Sequence, residues 1–175
     1  MPTAPPTHRL LVLRHAKSSW SNAHLGDFDR PLAPRGRRAA ETMGAHLATL
    51  DPPALVLCSS ARRAQDTFDF LRPHLPETTD VRIEDDLYGA PAPLLLARLR
   101  HVPDGTSSVL LVGHNPGLED LVRGLGRHGD PGLIARVHAK FPTAALATLT
   151  FDVPWRKLGA GTATLEAFVV PGDLE

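Results

Sequence analysis

Leu10-Leu-Val-Leu-Arg14-His15-Ala16-Lys17 is the stretch on which both the fold and the chemistry turn. Four apolar residues in succession read as a strand buried on both faces, the pattern of a parallel sheet covered by helices. An arginine and a histidine stand at its C-terminal end, and in an open α/β sheet ligands bind just outside the carboxyl ends of strands. A guanidinium grips phosphate with a planar fork of donors. An imidazole can attack phosphorus and carry the group covalently. By itself the dipeptide equally suits a solvated strand end, so its meaning depends on the segments downstream.

Outward from this stretch, strand and helix patterns alternate. Arg9–Leu13 is the first strand, and 18–34 is a long polar loop carrying Trp20 and Phe28. A helix over 35–50 has Ala39, Met43, Leu47 and Leu50 on one stripe and stops at Asp51-Pro-Pro. Ala54–Cys58 is a second apolar strand, and Ser59 or Ser60 would cap a helix running to about Leu71. A short strand at Val81–Ile83, a helix at Leu94–Arg100 and an apolar strand at Ser108–Val112 come after it. Next come a helix at Leu118–Leu125, a glycine-rich loop over 124–132, and two strands, Ala144–Phe151 and Thr162–Val170, expected to be antiparallel neighbours. Strands alternating with helices give an α/β fold with a mostly parallel central sheet. Residues 1–8 read as a flexible proline-rich tail and 9–175 as one domain, with no repeats and no internal linker.

The 175 residues carry 19 Lys+Arg and 19 Asp+Glu, a formal net charge of zero that disfavours nucleic acid as a partner. Cys58 is the only cysteine, so no intramolecular disulfide can form, as suits a reducing cytosol. The N-terminus has no apolar signal core, and no apolar run approaches a membrane span. The expectation is a soluble cytoplasmic protein with no membrane partner.

Three more segments carry chemistry-bearing residues. Arg30, in Phe28-Asp-Arg-Pro-Leu32, is pinned by apolar neighbours, although a loop arginine is more often a surface charge. Arg62 and Arg63 open the helix after the second strand, where free N–H groups already favour anions. A cation there works against the helix dipole and needs another reason, which phosphate would supply for Arg63; Arg62 reads as an exposed helix arginine. His114, in Val112-Gly-His-Asn-Pro-Gly117, sits in a sharp turn after the third apolar strand and would face the same sheet edge as His15. The other seven histidines show no His-Glu-x-x-His spacing and no cysteine pair accompanies them, so they read as surface or packing residues rather than metal ligands.

Taken together, these segments resemble the histidine phosphatase superfamily, the phosphoglycerate-mutase-like proteins, and within it the small SixA-type phosphohistidine phosphatases. Leu-Val-Leu-Arg14-His15-Ala-Lys resembles the Arg-His-Gly signature, and Asp29-Arg30-Pro-Leu the Arg-Pro-Leu that comes after it. Ser59-Ser-Ala-Arg-Arg63-Ala-Gln-Asp-Thr67 matches Ser-x-x-x-Arg-Ala-x-x-Thr, and Val-Gly-His114-Asn-Pro the second-histidine segment. The match runs in order from about Leu10 to Leu118; the final third is similar only in its strand pattern. The resemblance implies a three-layer α/β/α sandwich and a phosphohistidine intermediate on His15. It implies a phosphate pocket of Arg14, Arg30, Arg63 and His114 with no metal and no cofactor, and catalytic roles for His15, Arg14, Arg63 and His114. Ser18 stands where the family often adds a polar phosphate contact. Alanine replaces the signature glycine after His15, keeping a small side chain.

Many relatives supply a carboxylic acid to protonate the leaving group, and Glu84, Asp85 and Asp86 lie in that interval, where a solvated acidic run is the simpler reading. SixA-type members lack this donor, consistent with a leaving imidazole whose pKa of about 6.5 needs less acid help than an alkoxide. The expected activity is a metal-independent phosphatase acting on phosphohistidine in a phosphorylated protein. Two alternatives are a phosphomonoesterase for a small phosphorylated substrate or nucleotide, and a non-catalytic phosphate-binding module. Gly124–Gly132 and Trp155 are candidates for a rim or an interface.

Overall fold

The computed structural model describes residues 7–175. Its centre is β1 (His8–Arg14), hydrogen-bonded on one side to parallel β4 (Ser108–Gly113) and on the other to antiparallel β6 (Leu146–Phe151). The full seven-stranded order is β3-β2-β4-β1-β6-β7-β5. β2 (Leu55–Ser59) pairs in parallel with both β4 and β3 (Asp80–Glu84). β7 (Thr164–Val169) runs antiparallel to β6, and the two-residue β5 (His128–Gly129) joins its outer edge.

Side-chain alternation along β1 divides the core into two layers. Leu10 and Val12 enter one apolar cluster, and Leu11 and Leu13 enter the other. The first cluster takes Leu95 and Leu99 of α3 (Ala92–Arg100), Leu118, Leu121 and Val122 of α4 (Gly117–Leu125), and Val137 of α5 (Pro131–Ala139). The second takes Ala40, Met43 and Leu47 of α1 (Pro34–Leu47) with Phe68 and Leu71 of α2 (Arg62–Leu71). The result is the three-layer α/β/α sandwich with a mostly parallel sheet, and the late strands are antiparallel neighbours as expected.

Several boundaries move. β1 begins at His8, which is buried against Phe151 and Trp155, so the expected tail loses its last residue to the sheet; residues 1–6 lie outside the described residues. Neither serine caps α2: Ala61 is the N-cap, while Ser59 Oγ accepts from the Ala61 amide at 3.2 Å. Helix α1 spans 34–47 rather than 35–50, so its stop precedes Asp51. The glycine-rich 124–132 segment is no open loop, because it contains β5 and the start of α5. Its helix is capped by Asp130, whose carboxylate accepts from Gly132 and Leu133 amides. Trp155 belongs to neither a rim nor an interface: it is fully buried and donates from Nε1 to the Thr106 carbonyl at 2.8 Å.

Helix α1 meets the loop after β1 without a side chain between them. A Cβ on Gly36 would lie 2.0 Å from the Lys17 carbonyl oxygen, two residues beyond His15. Gly36→Ala is therefore expected to force α1 outward and destabilise the fold by about 2 kcal/mol or more. Gly124→Ala, where a Cβ meets nothing within 4 Å, should instead leave stability equal or raised by up to ~1 kcal/mol. Urea midpoints of the two variants check the contrast, and equal midpoints would contradict it.

Candidate active site

The parallel register of β1 and β4 pairs Arg14 with Gly113, so the next residues along each chain, His15 and His114, emerge side by side. The His15 amide continues the ladder to the Gly113 carbonyl at 3.0 Å, and the two imidazole centroids are 5.2 Å apart. One position over, β2 ends at Ser59 and the chain turns directly into α2, which places Arg63 on its first turn. Thr67, one helical turn further on, donates to the Arg63 carbonyl at 2.7 Å and accepts from the Ala16 amide at 2.9 Å, tying α2 to the residue after His15.

His15 is held in one tautomer. Its Nδ1 is 2.7 Å from the Ala16 carbonyl, which can only accept, so Nδ1 carries the proton. Nε2 then holds a lone pair, and Arg63 Nε–H donates to it at 3.3 Å. Burial pushes the His15 pKa down to about 3, assisted by His114, Arg63 and Arg14 and opposed by the bond to Ala16. The imidazole is thus held neutral, with desolvation the main cause and the charge of the neighbouring arginines a smaller one. His114 is likewise lowered to about 4, first by burial and then by Arg63. Its Nε2 pairs with Ser59 Oγ at 2.7 Å, and its Nδ1 is buried without a partner among the described residues.

The arginines line the same cup. Arg14 donates from Nη1 to the Phe141 carbonyl at 3.1 Å, while its Nε is buried and unpartnered among the described residues. Arg30 is buried, stacks under Trp20 at 3.5 Å, and donates from Nη1 to Ser18 Oγ at 2.7 Å. The structure therefore brings together His15, Arg63 and His114 at the sheet edge, with Arg14 at the end of β1 and the Arg30–Ser18 pair on the loop side. Arg62 stays outside, exposed and 3.6 Å from Asp66.

None of the acids proposed as donors bonds into this cup. Glu84 forms a bidentate pair with Arg98 at 2.7 and 3.0 Å, and Asp85 and Asp86 are exposed in a 3-10 turn. The carboxylate at the site is one that sequence reasoning missed, Asp27. Its Oδ1 accepts from Arg30 Nε and Nη2 at 3.2 and 3.1 Å, and its Oδ2 from Arg63 Nη2 at 3.1 Å and Tyr88 Oη at 2.5 Å. Arg63 Nη1 also donates to the Asp27 carbonyl at 2.7 Å. The Tyr88 bond, with both arginines, lowers the Asp27 pKa to about 2, so it is a carboxylate. The available signals were slight: an acid three residues before Arg30, and the chain's only tyrosine just after the acidic run. Among the described residues, no group of three His, Cys, Asp or Glu side chains is placed to hold a metal ion.

Depressed histidines give folding a distinct pH dependence. A histidine at about 3 in the folded state and ~6.5 unfolded takes up its proton first in the unfolded chain. Its contribution is full above ~6.5 and declines as pH falls toward the folded value. Wild-type urea midpoints should drop between pH 6.5 and 4 more steeply than those of His15→Ala, and parallel slopes would contradict the buried neutral imidazole.

The model of the histidine phosphatase superfamily (branch 1) matches residues 10–88, the span holding Arg14, His15, Arg30 and Arg63. An uncharacterized protein of Mycobacterium tuberculosis is 36% identical over 162 residues, covering 91% of this chain and 99% of that protein. Among solved structures, SixA from Nakamurella multipartitia superposes with a TM-score of 0.84 at 30% identity, over 97% of this chain and 99% of its own. SixA from Agrobacterium tumefaciens gives 0.78 at 31% identity, over 95% and 99%. A seven-stranded sheet that ends in an Arg-His cup, and whole-length likeness in sequence and structure, place this chain in the histidine phosphatase superfamily, among its SixA-type members.

Proposed function

We propose that the protein is a metal-independent phosphohistidine phosphatase that works through a phosphoryl group carried on His15. The observation that carries the proposal is the fixed tautomer of His15: Nδ1–H is held by the Ala16 carbonyl, and Nε2 presents its lone pair among buried guanidiniums. Family membership supports phosphatase chemistry, and the solved relatives that bear the SixA name support the phosphohistidine substrate.

In the proposed reaction Nε2 attacks phosphorus in line. Arg14, Arg30 and Arg63 neutralise the equatorial oxygens, where charge resides in a loose transition state. His114 Nδ1 and Arg14 Nε, both buried and without partners among the described residues, are ready donors for the same oxygens. Ser18 positions the Arg30 guanidinium through its hydroxyl. Water then hydrolyses phospho-His15. A set of three guanidiniums neutralises a phosphoryl dianion without a metal ion, and a cation would meet them as a like charge. With Glu84 held by Arg98, no acid bonded into the cup is free to protonate an alkoxide, which favours a P–N bond over an ordinary ester. The substrate is a phosphorylated protein, and neither nucleic acid nor membrane is a partner. Among the described residues no helix is long and apolar enough to cross a membrane, and the one cysteine, Cys58, is a buried free thiol; both accord with action in the cytoplasm.

Two substrates test the proposal in the presence of a chelator: a protein phosphorylated on histidine, and a panel of metabolite phosphates and nucleotides. The phosphohistidine protein should give the highest kcat/KM, and His15→Ala should lower it about 10³-fold or more. A metabolite ester preferred over phosphohistidine would contradict the substrate assignment, and an active His15→Ala would contradict the mechanism.

A further inference from the structure

Asp27 pairs with both arginines and still keeps one side toward solvent. Its side chain is 48% exposed while the two arginines it bridges are 9% and 8% exposed. It thus forms the outer lip of the cup, with one face on the guanidiniums and the other toward the approach of the substrate. Aromatic rings surround this lip. Tyr88, which donates to Asp27, meets the His114 ring edge-on at 5.6 Å; Phe28 meets Tyr88 edge-on at 5.1 Å; and Trp20 covers Arg30. Phe28, Tyr88 and Trp20 are all exposed. A carboxylate at the mouth of an anion site balances its arginines, repels a dianion and attracts a cationic element of a substrate.

We propose that Asp27, with the ring of Tyr88, receives the leaving imidazole and makes the site selective for P–N over P–O bonds. The inference rests on the phosphohistidine reading above and names the residue that enforces it. A phosphoimidazole and a phosphate ester carry the same phosphoryl group and differ in what leaves. The imidazole has a second ring nitrogen that takes a proton before reaction, giving a cation. When His15 Nε2 forms its bond to phosphorus, the P–N bond breaks and its electron pair goes to the leaving ring nitrogen. The imidazole departs neutral, keeping the proton that it brought, and no enzyme acid is consumed. A carboxylate against that N–H stabilises the protonated substrate, and flanking aromatic faces suit a flat ring. An ester offers no such proton and meets Asp27 only as a second negative charge.

Asp27→Asn tests this directly, because it keeps the size and an acceptor oxygen and removes the charge. The probes are N-phosphoimidazole and p-nitrophenyl phosphate, each as kcat/KM. The variant should lose rate on N-phosphoimidazole and gain rate on p-nitrophenyl phosphate, lowering the ratio of the two about tenfold or more. Partial misfolding scales both rates alike and cancels in the ratio. A ratio that falls by less, stays level or rises overturns the proposal and leaves Asp27 as a brace for Arg30 and Arg63. Wild-type inactivity on both probes would be a different result, overturning the phosphatase reading and the Asp27 role with it.

Discussion

Six register pairs hold β1 beside β4 in parallel, from Arg9 against Ser108 to Arg14 against Gly113. The two histidines of the site inherit their positions from this pairing. It ends the two strands level, so that His15 and His114 leave the sheet together. It also sets which β1 residues face which layer, since a slip of one residue would exchange Leu10 and Val12 with Leu11 and Leu13 between the two cores. A buried strand with two distinct apolar faces cannot slip cheaply, and the two histidines are placed as accurately as the core is packed.

The cup shows how burial and charge cooperate. Removing His15 and His114 from water disfavours their protonation, and the guanidiniums press in the same direction. A neutral imidazole with its tautomer fixed is a competent nucleophile without a base to activate it. The same guanidiniums need a counter-ion while no substrate is bound, and Asp27 fills that role at the lip. One carboxylate thus balances the guanidiniums and, in the role proposed for it, selects the leaving group.

Much of this was legible in the sequence, for physical reasons. The runs Leu10–Leu13, Leu55–Cys58 and Val109–Val112 are too apolar to be anything but buried, and the polar residues just after each could only lie at one sheet edge. That logic puts Arg14, His15, Arg63 and His114 at one edge, where the structure has them. It could not find Asp27, because a loop acid beside an arginine looks the same whether it faces solvent or a site; its role comes from Arg63 and Tyr88, 36 and 61 residues away. Helix α5 escaped because glycines precede its short apolar pattern, although Asp130-Pro131 is an N-cap with proline at N1. Trp155 was misplaced because a tryptophan among prolines and basic residues reads as surface, while in the structure its ring lies against His8 and Phe151.

The proposed mechanism puts a covalent phosphoryl group on one nitrogen of one histidine. Rapid mixing with a histidine-phosphorylated protein, an alkaline quench that preserves P–N bonds, and fragment-resolved phosphorus and nitrogen NMR would locate it. Phosphate is expected on Nε2 of His15, absent in His15→Ala and diminished in Arg63→Ala. Phosphate on His114 or on the Nδ1 of His15, or steady turnover with no phosphoryl group on the protein, would contradict it.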